Sequence, residues 1–140
     1  LFYEAKVTEA IALVVDAWKQ QRGRPERPLS AEDLTGLQTV ADYIADHYAF
    51  DIPLERLAGI ACMSQSKLKT CFKRRFGCTI TQYIQGRRMS QAEHLLIGTD
   101  FNMGQIAQMI GYTTSSRFAE LFKKSTGLLP VEYRKLARQN

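Results

Sequence analysis

The sequence predicts an all-α chain, with two copies of a small helical unit joined by one long helix and a further amphipathic helix in front. Three observations carry that prediction. Apolar residues recur at spacings of three and four, the pattern of helices with one buried side. Beyond Asp51 the chain repeats itself at a shift of 49 to 50 residues. Between the copies, helical spacing runs unbroken from about Thr79 to Ile97.

The first element is an amphipathic helix in residues 1–22, where Val7, Ile11, Val14 and Trp18 line one side and Glu4, Glu9, Asp16 and Lys19 fall between them. Those four apolar residues need a surface to cover them, and docking on a neighbouring domain or self-association would serve equally. Gly23, Pro25 and Pro28, set among alternating charges, read as a linker over 23–30. Ser30 with Asp33 then forms a capping box, with Leu29 and Leu34 as its hydrophobic staple. The helix so started buries Leu37, Val40, Ile44 and His47 and stops near Tyr48.

The repeat follows. Leu57-Ala58-x-Ile60-Ala61 returns as Ile106-Ala107-x-Met109-Ile110, and Leu68, Phe72, Lys73 and Gly77 return as Phe118, Phe122, Lys123 and Gly127 after one inserted residue. Tyr83 matches Tyr133. Each copy reads as a short helix, a tight turn, a longer helix ended by Gly, and a further helix, which is helix-turn-helix anatomy twice over. The subdomains are expected over 31–78 and 99–140, with a linker helix over 79–98. Ala58 and Ala107 let the second helix cross close over the first. The turns call for a positive φ at Cys62 and Gly111, cheap for glycine and costing about 1–2 kcal/mol for cysteine. At 1.5 Å per residue the linker helix spans roughly 28 Å, against about 34 Å between successive major-groove faces of B-DNA. Gly86 inside it marks close packing or a slight bend.

Leu68, Phe72 and Phe76 make the buried stripe of the first long helix, so Ser66, Lys69, Thr70 and Lys73 face outward. In the second copy Phe118, Leu121 and Phe122 are buried, leaving Ser116, Glu120 and Lys123 outward with Arg117 and Lys124 beside them. The charge agrees with a polyanionic partner. Residues 1–50 hold five Lys/Arg against eight Asp/Glu, net −3, whereas 51–140 hold fourteen against six, net +8. The run Lys67, Lys69, Lys73, Arg74, Arg75 contains no acid.

Other classes fit less well. No apolar run reaches the roughly 20 residues that span a bilayer, and no secretion signal is visible, which points to the cytoplasm. Cys62, Cys71 and Cys78 form no CxxC pair and read as reduced thiols, Cys71 as a small core residue rather than a redox sensor. His47 and His94 lack ligand partners at metal-binding spacing, so neither metal nor cofactor is expected. No converging titratable set supports catalysis. Phe72, Phe76, Tyr83, Phe118, Phe122 and Tyr133 sit at core spacing rather than forming a stacking platform. The first residue is Leu1 rather than Met, so an upstream domain is expected.

The stretches Arg88–Asp100, Ile106–Tyr112, Ser116–Gly127 and Pro130-x-x-Tyr133-Arg134 resemble the AraC/XylS signature, and the resemblance covers about residues 37–138. It implies two helix-turn-helix subdomains that bind double-stranded promoter DNA and act on RNA polymerase, commonly behind a sensor domain. Residues 1–22 then correspond to the tail of that sensor domain. Carried over by position, the base-facing residues are Ser66, Lys69 and Thr70 in the first copy and Ser115, Ser116 and Glu120 in the second. Lys67, Lys73, Arg74, Thr114, Arg117, Lys123 and Lys124 complete the expected DNA-binding set. Many relatives have Arg in place of Thr70 and Glu120. Thr70 can make one hydrogen bond or touch a thymine methyl, while Glu120 can accept from cytosine or pair with Lys123 or Lys124. The competing reading is a helical protein-interaction module with a basic face.

Overall fold

The computed structural model describes residues 27–139, so the helix expected over 1–22 and the start of the linker lie outside the described residues. Seven helices follow in order: α1 (Ala31–His47), α2 (Leu54–Ala61), α3 (Gln65–Phe76), α4 (Ile80–Gly98), α5 (Met103–Ile110), α6 (Ser115–Thr126) and α7 (Pro130–Gln139). They divide into two packed units, one built from residues up to Tyr43 with Pro53–Gln82, the other from Ile44–Ile52 with Tyr83 onward. Both α1 and α4 therefore begin in the first unit and end in the second.

In the first unit, the Ser30 hydroxyl accepts from the Asp33 N–H at 3.0 Å, satisfying one of the donors that every helix start leaves open. The staple beside it is slight, because Leu34 stays 41% exposed. Leu37, Val40 and Ala41 of α1 are buried, as are Leu57, Ala58 and Ala61 of α2. A Cβ on Gly36 would stand 2.9 Å from the Ala61 carbonyl oxygen, so glycine is what lets α1 pass over the end of α2. Helix α2 ends at Cys62, which adopts φ 55 and ψ 43, the left-handed conformation the repeat predicts for it. The Met63 N–H reaches back to the Ala58 carbonyl at 3.0 Å and closes the end. Helix α3 starts under the Ser64 hydroxyl, buries Leu68, Cys71 and Phe72, and stops at Gly77 with φ 76. Phe76 is only half-buried and packs on Phe72 at 4.5 Å between ring centroids.

The second unit repeats this plan around Met89, Ala92, Leu95, Leu96, Ile106, Ala107, Ile110, Phe118 and Phe122, with Leu121 and Tyr133 half-buried against them. Fully burying the Leu, Ile, Met and Phe side chains among these contributes about 1.5–3 kcal/mol each. The start of α5 has a complete capping box, Asn102 and Gln105 each accepting the other's backbone N–H. The turn that follows needs glycine on two counts. Gly111 has φ 103, and a Cβ there would lie 2.6 Å from the Ala49 carbonyl oxygen. His47, expected in the buried stripe of α1, is half-buried beside Phe50.

Two arginines fasten this unit. Arg88 of α4 donates to the carbonyls of Tyr48 (2.6 Å), Phe50 (3.3 Å) and Gly111 (3.4 Å), and its guanidinium lies 4.9 Å from the Tyr112 ring centre. Arg134 of α7 donates to the carbonyls of Leu96 and Thr99, joined by Arg138 on Thr99 and Asp100. These carbonyls lie in the last turn of α4 and just past its end, where no intrahelical donors are left and positive charge is favoured.

Candidate nucleic-acid interface

Each unit presents the second helix of its helix-turn-helix with one side buried and the other in solvent. On α3, the burial of Leu68, Cys71 and Phe72 turns Ser66, Lys67, Lys69, Thr70, Lys73 and Arg74 outward, and all six are exposed. On α6, the burial of Phe118 and Phe122 does the same for Ser115, Ser116, Arg117, Glu120, Lys123 and Lys124, with exposed Thr114 at the cap. Every residue expected at the interface is thus on one of these two surfaces. Helix α3 contains no acid, and its basic side chains crowd the last turn.

The local geometry refines several roles. Thr114 is the N-cap of α6, its hydroxyl accepting from the Arg117 N–H at 3.1 Å. Thr70 donates its hydroxyl to the Ser66 carbonyl at 3.1 Å, which leaves an acceptor lone pair and a methyl group for any ligand. The Lys67 ammonium lies 3.1 Å from Asp33, and Arg74 donates to the Arg27 carbonyl at 2.8 Å, so the first turn of α1 and the segment before it each hold a cation of α3. Lys67 and the Ser30 hydroxyl together hold the Asp33 carboxyl below its usual range.

One expectation is corrected. Glu120 pairs with Arg117, one turn earlier at 3.5 Å, and not with Lys123 or Lys124. The i,i+3 spacing puts Arg117 on the same side of α6, and both side chains remain mostly exposed, 55% and 70%. Sequence reasoning also gave Arg88, Arg134 and Asp33 no part in supporting these surfaces. Arg88 and Arg134 carried a signal only as parts of the signature stretches, and Asp33 only as a capping-box residue.

Cys71 is buried, as expected of a core thiol, while Cys62 is exposed and Cys78 intermediate; burial pushes the Cys78 thiol upward. Among the described residues no His/Cys/Asp/Glu group is arranged to hold a metal, and no helix is long and apolar enough to cross a membrane.

Two helix-turn-helix units in series, each with a solvent-facing polar second helix, define the class of a DNA-binding domain of a transcription regulator. A family described as a helix-turn-helix domain matches residues 57–136. The chain belongs to the AraC/XylS family. It is 33% identical over 96 residues to the uncharacterized HTH-type transcriptional regulator YisR of Bacillus subtilis, covering 69% of this chain and 33% of that protein. To the arabinose operon regulatory protein of Escherichia coli K12 it is 32% identical over 101 residues, covering 70% and 34%. The crystal structure of the DNA-binding domain of AdpA, a global transcriptional factor, in complex with a target DNA superposes with a TM-score of 0.70 at 25% identity, covering 74% of this chain and 94% of that one. The chain thus spans about a third of the length of these two curated relatives.

Proposed function

We propose that the chain is the output domain of a bacterial AraC-type regulator and reads duplex DNA with both units, α3 and α6 entering successive major-groove segments. The observation that carries this reading is the matched pair of second helices, each apolar toward its own unit and polar or cationic toward solvent. The AdpA domain, similar in fold, was solved on a target DNA. On α3, Lys73 and Arg74 supply phosphate contacts that fix affinity and register, while Ser66, Lys69 and Thr70 meet base edges. On α6, Lys123 and Lys124 take the phosphate role, and Ser115, Ser116, Arg117 and Glu120 face the bases. An upstream sensor domain controls the regulator, RNA polymerase is its protein partner, and the cytoplasm is its place of work. The chain acts by binding, without catalysis or cofactor.

Selection of bound duplexes from a random pool tests the reading. The expected motif is about 17–20 base pairs long, with two information blocks about one helical turn apart. Neutralising about 6–8 phosphates gives a log–log salt slope of roughly −5 to −7. Lys73→Ala weakens binding on all sequences alike, and Ser116→Ala relaxes choice within one block only. No enrichment of any duplex, with binding instead to acidic proteins, would replace this reading with the protein-interaction one.

A further inference from the structure

The charge arrangement on α6 is not one that stabilises a helix. Cations are unfavourable near a helix N-terminus and acids favourable there, yet the first turn of α6 carries Arg117 and no acid, with Glu120 after it. An exposed pair in this order adds little to folding. Glu120 is also the sole acid in α6, on the side the proposed function turns toward DNA, where a carboxylate meets phosphate repulsion. Its presence requires a compensating contact. Among base edges in the major groove, the exocyclic amine of cytosine is the donor a carboxylate accepts from, and guanine O6/N7 is the pair of acceptors an arginine fork fits. Arg117 engages Glu120 through one terminal nitrogen, which leaves its other N–H groups for a base. The pairing holds the two charged ends together on the solvent side of α6, within reach of neighbouring bases.

We infer that the Arg117–Glu120 pair is a composite reader of a guanine and a cytosine in successive base pairs, Arg117 donating to guanine and Glu120 accepting from cytosine N4. The inference rests on the DNA-binding reading above. The pair also acts as a filter. Arg117 offsets the carboxylate's repulsion, and only the base step that satisfies both groups gives back what burying Glu120 against phosphates costs. Thr70, at the corresponding place on α3, has its hydroxyl turned back to Ser66 and no charge to satisfy. The second block of the operator is therefore the more exacting at this step.

The test uses the 140-residue chain, its Glu120→Gln and Arg117→Lys variants, and duplexes from the random-pool selection, with fluorescence anisotropy on single-base changes and circular dichroism to confirm folding. The wild type should place G and C side by side in one block, and changing that C should weaken binding about 5- to 20-fold. Glu120→Gln should move the preference from C to A, because an amide pairs with adenine N6/N7, and should tighten binding to unselected DNA. Arg117→Lys should lose the guanine preference while phosphate-driven affinity stays. A selected motif without adjacent G and C in either block overturns the inference while leaving DNA binding intact. So does a Glu120→Gln variant that binds every duplex more tightly with unchanged base preference. Failure of the wild type to enrich any duplex refutes the underlying DNA-binding reading instead.

Discussion

Replacing Gly111 by Ala separates two costs that glycine avoids at the turn of the second unit. A side chain at φ 103 lies well past the left-handed region near +57°, so the conformational penalty is at least the 1–2 kcal/mol typical of non-glycine residues there. The steric cost adds to it. The new Cβ would sit 2.6 Å from the Ala49 carbonyl oxygen and 3.0 Å from both its carbonyl carbon and the Arg88 guanidinium carbon. Backbone cannot swing aside as a side chain can, so the 48–50 turn must shift, and that turn presents the Tyr48 and Phe50 carbonyls to Arg88. Losing one charged hydrogen bond costs about 1.5–3 kcal/mol. The total expected for Gly111→Ala is about 3–5 kcal/mol, at the severe end for a point substitution. Gly127→Ala is the control, since φ is 87 but no atom lies within 4 Å of its added Cβ, leaving only about 1–2 kcal/mol. Urea unfolding at 25 °C followed by circular dichroism measures both. Equal losses would refute the close approach of Ala49 as the reason for glycine at this turn.

Three further outcomes follow from the same geometry. Arg88→Met leaves three backbone carbonyls without their donor and should cost about 2–4 kcal/mol in urea unfolding; Arg88→Lys should recover little, because a single ammonium cannot span all three, and full recovery would contradict the clamp. The Tyr112 hydroxyl is buried with no hydrogen-bond partner among the described residues, so Tyr112→Phe should be neutral or stabilising by up to about 1 kcal/mol, and a clear loss of stability would mean the hydroxyl is satisfied. Asp33 is held below its ordinary value of 3.8, chiefly by Lys67, so the pair's contribution is present above that pH and fades as pH falls through the lowered value. Lys67→Met should therefore lower stability slightly near pH 6, with the difference from wild type closing in acid once Asp33 is protonated in both; a difference that persists in strong acid would assign the effect to packing.

What was legible in the sequence was legible for local reasons. Gly77 and Gly127 ended their helices because only a residue free to take positive φ closes a helix that way, and both adopt it. Cys62 was placed at a left-handed position by register alone, since the repeat laid it over Gly111, and φ 55 bears this out. The outward faces of α3 and α6 followed from the apolar stripes of Leu68, Phe72 and Phe76 and of Phe118, Leu121 and Phe122, because burying one side of a helix settles the other, although Phe76 and Leu121 are only half-buried. Contacts to distant backbone were not legible. Arg88 bonds the carbonyls of residues 40, 38 and 23 positions away, and a carbonyl leaves no trace in residue type. The partner of Glu120 was misassigned because i−3, i+3 and i+4 neighbours on α6 are all cationic, so spacing cannot choose among them. The choice matters for function. Under the proposed reading, a carboxylate paired toward the C-terminus would soften the phosphate contacts assigned to Lys123 and Lys124, whereas pairing with Arg117 leaves both lysines out of the ion pair and keeps the two opposite charges in the first half of α6. In a helix-turn-helix the first part of the second helix is what reaches base edges, so under the proposed DNA-binding reading the pairing with Arg117 is what would give Glu120 a part in choice of sequence rather than in affinity.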